Sequence, residues 1–391
     1  MLHETSFIPP FDEYMQKTLA PAYEKQTGIK IVYELTSVGS LPTRVSTAVE
    51  TGAGADVTMI FQLMPFLYAD KLLDVTDIAT EIGKKGGGWY PAASESAVID
   101  GKWKAIPHSN IGQCMNWRTD WFAEVGVKKF PDTWEELYEV GKKLKAKDHP
   151  FGFELGHGFG DNHGWIYPLL WSYGGHEVEA DGKTVVIDSA ETAQALDFAR
   201  KFFKDCVLED SLGWTDVSNN KAWMAEQISC TNNAESILWF AKKNFPDIAK
   251  VTDQAQNPQG PKGRFHIMQT ISHAIYNFSP QQDEAKKFLA WLMDEKQLGP
   301  WYAIADTYYQ PLHHAYDEAA MWQVEPRNIP YRDAMTSAHL LGWPAPPNHQ
   351  LAESVAKYVI VDMFAKACTG TSTKDAIKAA EAQLKEIYHS A

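Results

Sequence analysis

Residues 98–144 read VIDGKWKAIPHSNIGQCMNWRTDWFAEVGVKKFPDTWEELYEVGKKL, and the order of signals in this stretch decides the fold. Val98 and Ile99, a turn at Asp100-Gly101, then Trp103 to Ile106 spell a hairpin, because Gly101 tolerates the positive φ of a tight turn. Pro107 closes that ribbon. Asn110 to Trp117 is an apolar run too short for a helix and flanked by polar residues, so it reads as a buried strand. A short helix with Trp121 and Phe122 stops near Gly126. Phe130-Pro131-Asp132 then interrupts the chain, and Thr133 with Glu136 has the spacing of a capping box. The helix it opens carries Trp134, Leu137, Tyr138 and Leu144 near one face. Here the chain leaves one structural unit and enters another.

Toward the N-terminus, a strand lies within Leu2–Ile8 and Pro9-Pro10 ends it. A helix over Tyr14–Tyr23 closes with Gly28 at its C-terminal cap. A strand follows at Ile29–Leu35, a polar loop at Ser37–Ser40, a helix at Pro42–Thr51 and a third strand at Ala55–Ile60. Gly52-Ala53-Gly54 closes a helix, whereas a phosphate loop follows a strand and opens one, so no nucleotide loop is read there. Phe61-Gln62-Leu63 falls at the carboxyl end of a strand, where open α/β sheets place ligands. The alternation over residues 1–110 predicts a mostly parallel α/β sheet.

Toward the C-terminus, helices are expected at Trp165–Tyr173, ended by Gly174-Gly175, and at Asp188–Lys204, Ser218–Ala225 and Ala234–Lys243. Strands are expected at Ile228–Asn233 and Phe265–Tyr276. Ser279-Pro280 reads as the start of a helix with Ala285, Phe288, Leu289, Leu292 and Met293 as its stripe. Leu351–Cys368 and Thr373–Tyr388 read as two closing helices.

Length and composition narrow the function. At 391 residues two domains are likelier than one, and an apolar fraction of 45% excludes a disordered chain. A formal charge of −14, without any Lys/Arg-rich block, argues against a nucleic-acid or anionic-membrane partner. No stretch approaches the ~20 apolar residues of a membrane span. The start, MLHETSFIPPF, lacks the basic and apolar regions of a secretion signal. Cys114, Cys206, Cys230 and Cys368 are widely spaced with no CxxC pair, so neither a zinc ribbon nor a redox motif is supported. His157, Asp161 and His163 form an HxxxDxH cluster without the spacing of a known metal loop, and read as a glycine-rich loop of hydrogen-bonding side chains rather than a metal site. No GxSxG occurs. Paired carboxylates for glycoside hydrolysis need only meet in space, so a glycoside-acting enzyme stays open as an alternative.

The stretch Asp100-Gly101-Lys102-Trp103, Ile106-Pro107, Asn116 to Gly126 and Pro131 to Leu144 resembles the sugar-binding branch of the extracellular solute-binding proteins of bacterial ABC importers, to which maltose-binding protein belongs. That family carries "DGKxYGxP", a strand, then "P.TW.EL" at the same crossing. FDEYMQKTLAPAYEKQTGIKIVYEL resembles its opening "FEKxTGIKV", and Asp56-Val57 its "GxxPDV". The match departs where Ala225-Glu226 replaces a glycine-lysine and Tyr308 a glycine, and it is weakest over residues 315–350. The resemblance implies a type II periplasmic-binding-protein-like fold of two α/β lobes. The first lobe would be residues 1–110 with 273–312, the second residues 111–272 with 313–391. A ligand cleft between them would shut by domain closure. It implies a monomer without a cofactor that delivers solute to a membrane permease. The location would be periplasmic or extracellular, the signal being absent from a mature form.

A sugar asks for aromatic ring faces and a few oriented polar groups. The candidates are Glu4, Phe7, Ser37, Ser40, Gln62 and Asn110 in the first lobe, and His163, Trp165, Asn232 and Asn233 in the second. Tyr308, Tyr309 and Gln310 join them from the return segment. Each competes with a plainer role: Trp165 and Tyr309 as core rings, Asn233 as a helix cap, Ser37 and Ser40 as loop residues. A polyamine, or a phosphorylated or carboxylated solute, is the alternative ligand within the same class.

Overall fold

The computed structural model describes residues 1–389. Strands form at Leu2–Glu4 (β1), Glu34–Thr36 (β2), Val57–Phe61 (β3), Val98–Ile99 (β4), Lys102–Trp103 (β5), Ile106–Asn110 (β6), Cys114–Arg118 (β7), Cys230–Asn233 (β8), Thr252–Ala255 (β9), His266–Ile267 (β10), Thr270–Ile275 (β11), Gln310–Pro311 (β12) and Ala338–His339 (β13). The chain divides into two compact units. Unit 1 is Met1–Ile111 with Gln269–Pro326, and unit 2 is Gly112–Met268 with Arg327–Ala391.

In unit 1 the sheet runs β12-β6-β11-β3-β1-β2. β1 is parallel to β2 and β3, but β11 is antiparallel to both β3 and β6. The sheet is therefore mixed, not mostly parallel, because a strand from a distant segment enters its middle. That pairing also moves the second crossing to residue 269, ahead of the 273 boundary drawn from sequence. Residues 313–326, assigned to the second lobe by sequence, belong to unit 1. The backbone N–H groups of His314 and Ala315 donate to Gly88 and Gly86 at 3.1 and 2.9 Å, and the Tyr316 ring packs edge-on against Tyr302.

The predicted strand Asn110–Trp117 is in fact the end of β6 and most of β7, with the unit boundary between them. Pro107 lies inside β6, opposite Ser272 where the ladder register shifts, so its missing N–H falls at an irregularity. Pro9-Pro10 likewise opens a helix, Pro9–Tyr14, with proline in the first turn, where no N–H is needed. It continues through a π-helical turn at Met15–Leu19 into Ala20–Thr27, ended by Gly28 at φ 77. Phe11 anchors this helix: its ring stacks on Trp301 at 4.1 Å and meets Tyr309 at 4.2 Å.

Unit 2 carries the antiparallel sheet β8-β7-β9 and the parallel pair β10–β13. The capping box forms: the Glu136 N–H donates to Thr133 Oγ1 at 3.1 Å, and Glu136 accepts from the Thr133 N–H at 3.2 Å. The helix it starts, Trp134–Lys145, sits close to its neighbours through Gly141, where an added Cβ would fall 2.5 Å from the Phe151 ring. Trp134, Trp165, Phe198 and Phe202 fill the core beside it. The predicted single helix Leu351–Cys368 is two, His349–Ala356 and Val359–Cys368, broken by Tyr358 at φ 55. The helix expected from Ser279-Pro280 starts later, at Gln282, with its buried stripe as predicted. No described helix is long and apolar enough to cross a membrane.

Candidate functional site

In unit 1 the candidates gather at the carboxyl ends of β1, β3 and β6 and on β12. Glu4 is the last residue of β1, fully buried, and accepts a 3.0 Å hydrogen bond from the Tyr309 hydroxyl, which also reaches Ser6 at 3.2 Å. Asn110, ending β6, donates to Gln310 at 2.8 Å and accepts from the Gln269 N–H at 2.8 Å. Gln62 follows β3 directly. Its backbone is held at φ 43 by a 2.7 Å bond to the Thr270 carbonyl, and its side-chain Nε2 is buried without a partner. A non-glycine residue in this left-handed region costs on the order of 1 kcal/mol, a cost that structures concentrate at functional positions. Asp306 and Thr307 share that conformation, at φ 50 and 71, and turn the chain into Tyr308-Tyr309-Gln310. Phe7 is half-buried with its ring 6.2 Å from Tyr308. Ser37 and Ser40 bond each other at 2.7 Å on an exposed turn, apart from the buried group. Tyr309 is a core ring with no exposed face.

In unit 2 one candidate, Asn233, meets Asp161, the first residue of the Asp161–Tyr173 helix, while Asn232, His163 and Trp165 have other surroundings. Asn219, Asn233 and Gln113 donate amide hydrogens to its carboxylate at 2.7, 3.1 and 3.2 Å. Asn233 also bonds Asn220 at 2.8 Å, and its carbonyl accepts from the Tyr331 hydroxyl at 3.0 Å. Asn232 donates to Asn257 at 2.8 Å, leaving its own Oδ1 without a partner. His163 is 3% exposed, and burial, offset in part by the Phe159 backbone, holds its pKa down at about 4, so the ring is neutral. Trp165 is fully buried, packed edge-on against Phe153 at 5.4 Å, and its indole N–H donates to the Glu154 carbonyl at 2.7 Å. It is a core ring in this unit and offers no free face.

The HxxxDxH cluster does not converge. His157 bonds Asp362 at 2.7 Å and stacks on Tyr358 at 4.3 Å, while Asp161 turns to the amides. Glu154, Asp216, Asn219 and Asn257 were missed by sequence reasoning, since nothing local marks them; only their positions in space join them to the candidates. Among the described residues the four cysteines are free thiols, and burial pushes Cys206 up to about 12, leaving it protonated and inert. A surface cavity of about 280 Å³ lies in unit 1 beside Glu81, Lys85 and His313, and one of about 500 Å³ in unit 2 beside Lys145, Arg200 and Cys368; neither holds a candidate.

The arrangement is one of hydrogen-bonding amides and carboxylates on buried strand ends. Comparison with known proteins gives it a context. The family model described as bacterial extracellular solute-binding protein matches residues 5–298. The diacetylchitobiose binding protein DasA of Streptomyces coelicolor is 28% identical over 191 residues, 48% of this chain and 44% of that protein. The match thus spans under half of that relative's length. A putative binding protein of Brucella abortus is 23% identical over 297 residues, 73% of this chain and 69% of that one. Among solved structures, maltose-bound MalE3 of T. maritima superposes with a TM-score of 0.84 at 21% identity over 98% of each chain. The sugar transporter of Arthrobacter chlorophenolicus A6 with bound laminaribiose gives 0.85 at 18% identity over 98% of each. These likenesses establish the fold.

Proposed function

The chain belongs to the bacterial extracellular solute-binding proteins, and from that premise we propose that it is the binding component of an ABC importer, capturing a carbohydrate outside the cytoplasm and handing it to a membrane permease. The family is one of binding proteins, not enzymes. The observation that carries the carbohydrate reading is that two of the candidate side chains, Gln62 through Nε2 and Asn232 through Oδ1, are buried with capacity left over. A buried polar atom without a partner costs about 1–3 kcal/mol. Sugar hydroxyls, each both donor and acceptor, satisfy such atoms one by one. The solved relatives hold maltose and laminaribiose, which supports a sugar over a phosphorylated or carboxylated solute. The chain acts as a monomer and needs no cofactor in this reading.

A thermal-shift panel of neutral mono- and oligosaccharides, amino acids, polyamines and small phosphates tests it. One sugar class should raise the melting temperature, by ~2.7 kcal/mol of stabilisation at a hundredfold excess over Kd. Gln62→Leu in unit 1 and Asn232→Leu in unit 2 should each weaken that response at least tenfold. The sugar should be recovered chemically unchanged. Silence from every sugar, with a shift from another solute class, sinks the carbohydrate reading.

A further inference from the structure

Three carboxylates from separate segments of unit 2 meet at one point. Glu154, Asp161 and Asp216 each offer an oxygen, and these oxygens lie within 4.8 Å of one another. Two of the three are accounted for by the fold. Asp216 accepts the backbone N–H groups of Phe159 and Gly160 at 2.6 and 2.7 Å, which shapes the loop entering the Asp161–Tyr173 helix. Asp161 takes the amides of Asn219, Asn233 and Gln113.

Glu154 is not accounted for. It is 1% exposed, and neither of its oxygens takes a hydrogen bond of good geometry. The Gly158 N–H is the nearest donor, and a Cβ on Gly158 would fall 1.9 Å from the Glu154 carboxylate, so glycine there leaves the oxygen its room. The charges that act on Glu154 are those of Asp216 and Asp161, both negative. A buried carboxylate with neither a cation nor a full set of donors costs several kcal/mol.

We propose that Glu154, Asp161 and Asp216 form a cation-binding site. The donor set is three anionic oxygens with no nitrogen or sulfur, the set that suits a hard cation. Oxygens up to 4.8 Å apart can share a calcium ion, whose oxygen ligands lie about 2.3–2.6 Å away. The same spacing suits an ammonium group donating to each oxygen at about 2.8 Å. Asp216, the partly exposed member, is the open side of the site. The Asn233–Asp161 bond joins it to the amides assigned to the solute, so an ammonium carried on the solute, the second source, rests on the carbohydrate reading above, whereas a calcium ion does not.

The experiment is a thermal melt of the full chain, stripped with EDTA at pH 7.5. CaCl₂ and MgCl₂ are titrated in one arm, glucosamine against glucose at matched ionic strength in the other. A rise of several degrees with CaCl₂ assigns a metal; a rise with glucosamine that glucose does not give assigns an amine. Glu154→Gln, which keeps the shape and removes the charge, should require at least tenfold more of the active cation for the same shift. Glu154→Ala shares the loss of charge and serves if the glutamine variant fails to fold. Absence of any cation response in the parent chain, or an unchanged response in the variants, overturns the site. Because the neutral-sugar panel is read independently, a failed cation arm with a surviving sugar shift removes this site alone.

Discussion

Unit 1 buries a cluster of three imidazoles where unit 2 buries a cluster of three carboxylates, two of them fully. In unit 1 the rings of His3 and His108 lie 5.7 and 4.9 Å from that of His273, all three fully buried. Burial holds His3 down at about 4 and His108 and His273 well below the usual range, the latter two further lowered by neighbouring imidazoles. In unit 2 burial pushes Glu154 and Asp161 well above the usual carboxylate range and Glu177 up to about 7. The difference teaches that the two clusters solve the same problem by opposite means. The imidazole cluster stays neutral by refusing protons, and the carboxylate cluster by holding them or by binding a cation. Outside these clusters each unit also buries the other kind of group: Asp12, raised to about 6 by burial, and Glu4 in unit 1, and His163 and His266, held down at about 4 and about 3, in unit 2.

The largest effect that would sharpen this contrast is on the core beneath the anionic cluster. Trp165→Ala should cost about 3–5 kcal/mol in a urea melt, from the lost ring and the cavity it leaves, and it frees the Glu154 carbonyl from its 2.7 Å bond. A loss below 1 kcal/mol would show that the ring is not the support assigned to it.

The next effect concerns acid. Below pH 6.5 the unfolded chain takes up protons on histidines that the fold keeps neutral, so stability falls as pH drops from 6.5 toward the lowered folded values. Each such ring contributes about 1.4 kcal/mol per pH unit. His273→Leu should therefore lose about 2 kcal/mol less than the parent between pH 6.5 and 5. Identical slopes in denaturant melts would break the unit 1 half of the comparison.

The smallest effect runs the other way. Glu177 is protonated in the fold up to about pH 7 but ionises near 4.5 when unfolded, so its contribution to stability is lost as pH rises from 4.5 through 7. Glu177→Gln should gain about 1–2 kcal/mol over the parent at pH 6 and nothing at pH 4.5. A gain that does not change with pH would mean that packing around Ser354, its 2.8 Å partner, and not charge, sets the effect.

What the sequence revealed follows a rule of distance along the chain. The Asp100-Gly101 turn, with φ 51 and 73, and the Thr133–Glu136 cap are complete within four residues, and both form as read. So do the glycine stops at Gly28 and Gly174. β6 was misread because Pro107, His108, Ser109 and Asn110 are polar or lack a donor, yet all are buried; only its position between β11 and β12 makes it a strand. Tyr358 breaks a helix in a left-handed conformation that no glycine or proline announces. In the site, the polar residues following strands were legible from topology. The meeting of Glu154 and Asp161 with Asp216, 55 residues beyond the latter, was not, since pairing across loops leaves no local pattern.

The place of β11 has a consequence for how the molecule is made. β11 lies between β3 and β6, so a chain emerging from the ribosome has produced four strands of the unit 1 sheet before the one that joins them. While Gly112–Met268 is being made, the facing edges of β3 and β6 have no partner. At ~5–20 residues per second that interval is on the order of ten to thirty seconds, long enough for unpaired edges to seek other strands. Unit 2 waits in turn for Arg327 onward. Neither half can finish before the other has begun, and the order of synthesis holds the whole nascent chain open until its last third appears.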